Sequence, residues 1–494
     1  MTSASIPAGE KTFMGHPRQL WMLFMTEFWE RFSFYGMRWA LTLYIVAQFY
    51  GGDQSGQAYA SHTYGAFLAL VYATSIFGGY AADRLIGYQR SILLGALITA
   101  AGLFMITAPN QQIFLAGLAV VITGNGLFKP NISTMVGQLY KQGDPRRDSG
   151  FTIFYMGINA GALVAPLITG WLASAVTNTP MEQNYKIVFL TTGIGMIISF
   201  LWFWFGRRQL GEIGRPPQGS GGKNMFVVLA GSAVCAPVIY FLLAKVGADI
   251  IQYGLTAMFV LLAVLMVVEG VREGAVQRDK VFAMIALFIF NILFWMFFEQ
   301  AGSSFNFLAE NIVNRDFGGW EFPVGWFQSV NPIAIVVLAP IITMIWSALN
   351  SMKAEPSVPR KFGLGLILNG LSFVVLMYAL SHLVVDGRIP FWPLVLTYVI
   401  QTVGELCLSP IGLSMVTKLA PSKSVGLAMG GWFLSISVGN NLSGIFAGSV
   451  SGATGMTVAS ALHGFTFSFY LLVGAGVVLF LISPLIAKLM HGVK

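Results

Sequence analysis

The chain has 494 residues, of which 56% are hydrophobic and only 10% charged, and its mean hydropathy is +0.72. A soluble domain carries about 25% charged residues, so a water-soluble fold of this length is excluded. The net charge of +8 is not a nucleic-acid footprint, because the basic residues sit in short loops between apolar runs, as membrane-topology signals do.

In chain order, the first 19 residues are mixed and polar and carry no cleavable signal pattern. Fourteen apolar segments follow, at 20–49, 58–81, 90–108, 112–140, 148–174, 184–206, 224–245, 249–270, 281–309, 323–351, 362–385, 391–419, 424–451 and 461–490. Each reads as a transmembrane helix, which predicts an all-α integral membrane protein of 14 helices. With the N-terminus placed inside, only Lys186, Lys245, Arg315 and Arg388 fall on the outer side, and Arg31, Arg38 and Lys129 lie within helices. The other 21 of the 28 Lys and Arg, Lys11, Lys423 and Lys494 among them, collect on the inner side. That bias puts both termini in the cytoplasm.

The segment Gly211–Lys223 (GEIGRPPQGSGGK) is the only linker-like stretch, and two apolar segments separate it from the next charged inner loop at Arg272–Lys280. The predicted plan is an N-terminal six-helix bundle (1–210), a linker with an inserted helix pair (211–279) and a C-terminal six-helix bundle (280–494). An internal repeat supports it. At an offset of 280 residues Gly124, Pro130, Met135, Val136 and Leu139 match Gly404, Pro410, Met415, Val416 and Leu419. At an offset of 278, Phe154-Tyr-x-x-Ile-x-x-Gly161 matches Trp432-Phe-x-x-Ile-x-x-Gly439. Two similar halves around a central site are the plan of rocking transporters. Cys235 and Cys407 both lie in apolar segments and read as small buried side chains.

Seven ionisable residues sit inside apolar helices: Glu27, Glu30, Arg31, Arg38, Lys129, Glu299 and Glu405. At about 2.5–3.5 kcal/mol each they would cost roughly 20 kcal/mol unpaired, so they are expected to face a cavity and one another. Glu27, Glu30, Arg31, Phe34 and Arg38 fall on one stripe of the first helix. In the repeat Asn125 corresponds to Glu405 and Lys129 to Ser409. If the halves are pseudo-symmetric, Lys129 and Glu405 face one another across the cavity, a positive and a negative pole suited to a zwitterion. Opening or closing such charge pairs binds or releases protons, which is a physical basis for coupling.

Several motifs are specific. The loop Gly79-Tyr-Ala-Ala-Asp83-Arg84-Leu-Ile-Gly87-Tyr-Gln-Arg90 resembles the G-x-x-x-D-R-x-G-x-x-R loop of the major facilitator superfamily. Glu27-Phe-Trp-Glu30-Arg31-Phe-Ser-Phe34-Tyr35-Gly36 resembles the E-x-x-E-R-F-x-Y-Y-G signature of the proton-dependent oligopeptide transporters. Phe154-Tyr155-x-x-Ile158-Asn159-x-Gly161, Phe294-Trp295-x-x-Phe-Glu299-Gln300 and Gly404-Glu405-x-x-x-Ser409-Pro410 are similar to further patterns of that family. The resemblance covers essentially the whole chain and implies a major facilitator fold and a proton-coupled importer of di- and tripeptides in the bacterial inner membrane.

The resemblance also implies roles. Arg31 and Lys129 receive the peptide carboxylate, Glu405 the amino group, and Asn159 and Asn331 hold the ends or backbone. Tyr35, Tyr72, Trp295 and Trp432 line side-chain pockets. Glu27, Glu30, Arg38 and Glu299 handle the proton, with Arg38 and Glu299 as a breakable pair. His62 and Asp316, near the outer side, are further proton-coupling candidates, since an ordinary histidine titrates near outside acidity. The sequence departs from the signature at Phe34, where a tyrosine is usual, and so lacks one hydroxyl. No cofactor is expected beyond the proton as coupling ion, no metal, no nucleic acid, and function as a monomer in the bilayer. The alternative is a related facilitator for another small anion, metabolite or drug. The five histidines form no H-E-x-x-H motif, and no soluble signalling domain is present, so neither an intramembrane zinc protease nor a receptor is expected.

Overall fold

The computed structural model describes residues 12–141, 144–176, 183–217, 221–421 and 424–493. Lys11, Lys423 and Lys494 of the topology argument lie outside the described residues. A two-residue antiparallel pair, Thr12–Phe13 with His16–Pro17, precedes the helices. These are α1 Arg18–Phe49, α2 Gln57–Ala81, α3 Tyr88–Ile106, α4 Gln111–Gln138, α5 Arg146–Ala175, α6 Tyr185–Gly206, α7 Gly222–Phe241 and α8 Ala248–Glu273. There follow α9 Ala275–Phe298, α10 Ser304–Asn311, α11 Val330–Ser351, α12 Val358–His382, α13 Trp392–Leu406, α14 Ser409–Leu419, α15 Val425–Ser451 and α16 Val458–Leu489.

The helix starts follow from local chemistry. Asn110 accepts from the amides of Gln112 and Ile113 at 2.9 and 3.1 Å, and Thr457 with Ser460 forms a capping box before α16. Gly87, at φ +77°, makes the sharp entry into α3 that a side chain would strain.

Among the described residues, eleven helical stretches are long and apolar enough to cross a membrane, which makes the chain a multi-pass membrane protein of the all-α class. The segments α1, α13–α14 and α15 fall short of that measure. Charged side chains interrupt α1, and α15 is diluted by Asn440, Asn441 and its serines.

Two predicted segments are broken. The 281–309 stretch leaves α9 at Phe298, passes a tight turn over Glu299–Gly302 and resumes as α10. The 391–419 stretch stops at Leu406 and restarts at Ser409. In the second, Pro410 has no N–H to return to Leu406. In the first, Gln300 takes over backbone bonding: its Nε2 donates to the carbonyls of Met296 and Ser443 at 2.9 and 3.2 Å, and Ser304 Oγ donates to its Oε1 at 2.6 Å. Freed backbone at membrane depth is tolerated only with such replacements.

The chain divides into two compact units, Met1–Leu41 with Leu70–Val246, and Thr42–Ala69 with Gly247–Lys494. In the first, α4 has 72% of its most apolar window buried, whereas α7 buries 17% and turns its apolar surface outward to lipid. Val228 of α7 packs with Ala81, Ile86 and Leu127, and Asn224 Nδ2 reaches the Leu85 carbonyl at 3.3 Å. In the second unit α8 is held to α15 by Asn441, whose Nδ2 donates to Ala248 O at 2.8 Å and Gln252 Oε1 at 3.0 Å. The boundary between units therefore falls inside the inserted pair, between Val246 and Gly247.

The repeat has a packing counterpart in each unit. A Cβ on Gly95 of α3 would lie 2.7 Å from the Gly124 carbonyl of α4. A Cβ on Gly404 of α13 would lie 2.8 Å from the Gly365 carbonyl of α12. The matched glycines Gly124 and Gly404 each let two backbones touch, as small residues do at membrane helix crossings.

Candidate functional site

In the first unit the stripe of α1 is buried throughout: Glu27, Glu30, Arg31 and Arg38 are 4, 1, 4 and 7% exposed. The i to i+4 spacing brings Arg31 Nε to 3.1 Å from Glu27 Oε1. The same guanidinium grips its neighbour Glu30 with Nη2 to Oε1 at 2.7 Å and Nε to Oε2, a two-toothed pair. Asn125, brought to α1 by α4, donates its Nδ2 to Glu30 Oε1 at 2.8 Å. By sequence alone Asn125 is only the repeat partner of Glu405. The available signal is an amide side chain between two glycines, Gly124 and Gly126, one turn before the intramembrane Lys129.

Two cations approach the ring of Phe34. Arg31 Cζ is 5.2 Å and Lys129 Nζ 5.9 Å from its ring centroid, and Lys129 sits 3.6 Å over Tyr72. The missing hydroxyl thus leaves an aromatic face that two positive groups share. Arg38 stacks over Tyr35 with Cζ 5.5 Å from the centroid. Asn159 on α5 is 5% exposed and returns its Nδ2 to Tyr155 O at 2.9 Å, one turn back on its own helix.

In the second unit Glu405 stands in the last turn of α13, next to the break. Asn331, at the start of α11, donates to Glu405 Oε2 at 2.9 Å and to Thr402 Oγ1 at 3.0 Å. The last carbonyls of α13 and the carboxylate together make a negative end, which attracts a cation. Glu299 is 5% exposed and caps the end of α9. Trp295 donates Nε1 to Asn291 Oδ1 at 3.1 Å, and Asn291 donates to Ser435 Oγ at 2.8 Å, so the indole is fixed from below. Trp432 is 3% exposed, packed on Phe288 and Phe362 at 5.9 and 6.3 Å between centroids.

The acid whose field reaches His62 is Asp249 of α8, and the ring is pressed against Gly448 of α15. Asp316 serves its own loop, accepting from the Gly319 amide at 2.8 Å. Its neighbour Arg315, read from sequence as a loop charge, is 4% exposed and pairs with Glu310 and Glu321 at 2.9 Å each. On the α4–α5 loop, three hydrogen bonds from Arg146, two from its guanidinium and one from its backbone amide, hold the Asp144 carboxyl down to about 2. Burial pushes the Tyr140 phenol up to about 12, and its OH lies 2.8 Å from His16 Nδ1.

The POT family model matches residues 89–462. A peptide transporter of Yersinia enterocolitica subsp. palearctica serotype O:3, YePEPT, is 35% identical over 100% of this chain and 99% of its own. A di-/tripeptide transporter of Lactococcus lactis subsp. cremoris is 36% identical over 98% of this chain and 99% of its own. The crystal structure of a peptide transporter POT in complex with sulfate superposes with a TM-score of 0.85 at 34% identity, covering 99% of both chains. The fold is the predicted major facilitator fold. With the signature of α1, the buried charges in both units and a match over the whole length all agreeing, the chain belongs to the POT family.

Proposed function

We propose that this protein imports di- and tripeptides across the bacterial inner membrane together with protons, with both termini in the cytoplasm, acting as a monomer by alternating access. The observation that carries the reading is the full-length likeness to relatives named as peptide transporters. The chemistry of each unit is consistent with it. Arg31 and Lys129 form a cationic pole on the face of Phe34, suited to a peptide carboxylate. Glu405, steadied by Asn331 at the negative end of α13, suits a peptide ammonium. Asn159 is assigned to an end or the backbone of the peptide, and Tyr35, Tyr72, Trp295 and Trp432 to its side chains.

The proton is assigned to Glu27, Glu30 and Glu299, with Arg38 as the cation that pairs when a carboxylate is bare and lets go when it is protonated. His62 and Asp316 are assigned to the outer side of the same process. The domain plan 1–210, 211–279 and 280–494 is retained as the arrangement of moving parts.

The test is uptake of a labelled dipeptide into proteoliposomes under an inward proton gradient. Accumulation that collapses with the gradient supports the reading, and accumulation indifferent to it defeats the reading. Competition by dipeptides, but not by single amino acids or nitrate, separates peptide import from the carriage of another small anion. Glu299→Gln is expected to abolish gradient-driven uptake while gradient-free peptide exchange persists; equal loss of both assigns Glu299 to structure alone.

A further inference from the structure

Glu30 borders a small cavity inside the first unit. Its walls come from α1 (Ser33, Phe34, Met37), α3 (Thr99, Leu103), α4 (Val121, Asn125) and α6 (Met196), and its volume is about 10 Å³, the room one water molecule needs. Two residues of this wall, Thr99 and Asn125, each carry a buried atom, Oγ1 and Oδ1, that makes no hydrogen bond within the protein. The residues are 4 and 1% exposed. Ser33 is already engaged, donating to the carbonyls of Trp29 and Thr192 at 2.9 and 2.8 Å. The glycine crossing of α3 on α4 is what brings Thr99 and Asn125 to the same wall.

We infer that this cavity binds one ordered water that links Glu30 to Thr99 and Asn125, and that Thr99 is a positioning residue for the proton on Glu30. The inference rests on the proton role proposed for Glu30 and names how that carboxylate is served in both of its states.

A carboxylate has about four acceptor sites, and three on Glu30 are taken, two by Arg31 and one by Asn125. In the charged state the water donates to the fourth site and to Asn125 Oδ1 and accepts from the Thr99 hydroxyl. When Glu30 gains a proton, its new O–H donates to the water. The water then turns its two hydrogens to Asn125 Oδ1 and Thr99 Oγ1, and the Thr99 hydrogen turns back to a carbonyl of its own helix. The proton comes from a hydronium ion of the aqueous phase, so one O–H bond breaks there as one forms on Glu30, and no other covalent bond changes. A hydroxyl is the side-chain group that serves as donor in one state and acceptor in the other, which an aliphatic residue at 99 cannot do. The charged groups around Glu30 are Arg31 and Glu27 on α1, with Lys129 of α4 in the field of Glu27; the cavity wall from α3 and α6 is uncharged.

Infrared difference spectra of the full-length protein in liposomes, taken between acid and neutral pH in ordinary and oxygen-18 water, test this directly. An O–H band that shifts in oxygen-18 water and is lost in Glu30→Gln and in Thr99→Val is the expected result. Thr99→Val is expected to lower gradient-driven uptake about tenfold, with Thr99→Ser restoring it. Wild-type uptake by Thr99→Val overturns the inference, and so does a wild-type spectrum with no oxygen-18-sensitive band. The wild-type spectrum decides the matter even where Thr99→Val fails to fold. Full gradient-driven uptake by Glu30→Gln instead removes the proton role of Glu30, and this inference with it; the uptake assay alone separates the two failures.

Discussion

The two units hold the carboxylates of their apolar helices in opposite ways. In the first, Glu27 and Glu30 stand in the middle of α1, a continuous 32-residue helix, and borrow their donors from Arg31 and Asn125. In the second, Glu299 and Glu405 stand where helices end, at the breaks after α9 and α13. The difference teaches how a membrane protein keeps acids at depth. A mid-helix acid has no backbone group to spare and must bring a cation on the same face. Glu405, in the last turn of α13, receives instead the side-chain amide of Asn331 from α11.

The sharpest way to break this comparison is Arg31→Ala. It removes the donor of two buried carboxylates at once and is expected to cost about 3–5 kcal/mol in unfolding, seen as a lower thermal midpoint in detergent, with uptake lost. An unchanged midpoint would show that the α1 acids do not depend on the cation. Next comes Gly404→Val, which forces side-chain volume between α13 and α12 and is expected to cost about 1–3 kcal/mol; Gly124→Val should match it in the first unit. Unequal effects would separate the two crossings that the repeat makes equivalent.

Asn331→Ala is expected to leave Glu405 short of one donor and to raise the peptide concentration for half-maximal uptake about tenfold, with the thermal midpoint moving less than for Arg31→Ala. Phe34→Tyr restores the usual hydroxyl without removing the aromatic face, so its effect on stability is expected to stay within about 1 kcal/mol. Competition by a dipeptide panel would reveal any change of side-chain preference.

The smallest effect concerns Asp144. Its folded value of about 2 lies below the ordinary 3.8, so the contribution of its pair with Arg146 is present above the ordinary value and fades only as pH falls towards 2. Wild type and Asp144→Asn should therefore differ in proteolytic nicking of the α4–α5 loop by the same margin at pH 7 and pH 4. A margin that vanishes at pH 4 would contradict the depressed value.

Much of this was legible in the chain itself. Apolar runs declare membrane helices because no soluble core could hold them, and charges inside them declare a site because each is costly in lipid. The signature from Glu27 to Gly36 carried the family, and the spacing of Glu27 to Arg31 dictated their contact, since four residues make one helical turn. The ends of most helices were placed within a few residues for the same reason, that hydropathy changes sharply at the membrane boundary. Other features only the tertiary structure decided. The breaks at Glu299 and after Leu406 lie inside unbroken apolar runs, and depend on Gln300 finding Ser443 on α15 and on the chain tolerating Pro410. Asn125 meets Glu30, and Thr99 shares their cavity, through glycine contacts between helices that no local pattern encodes. Local spacing sets which residues share a face, but the neighbour that face meets is set by packing, and at this site the neighbour supplies the hydrogen bonds.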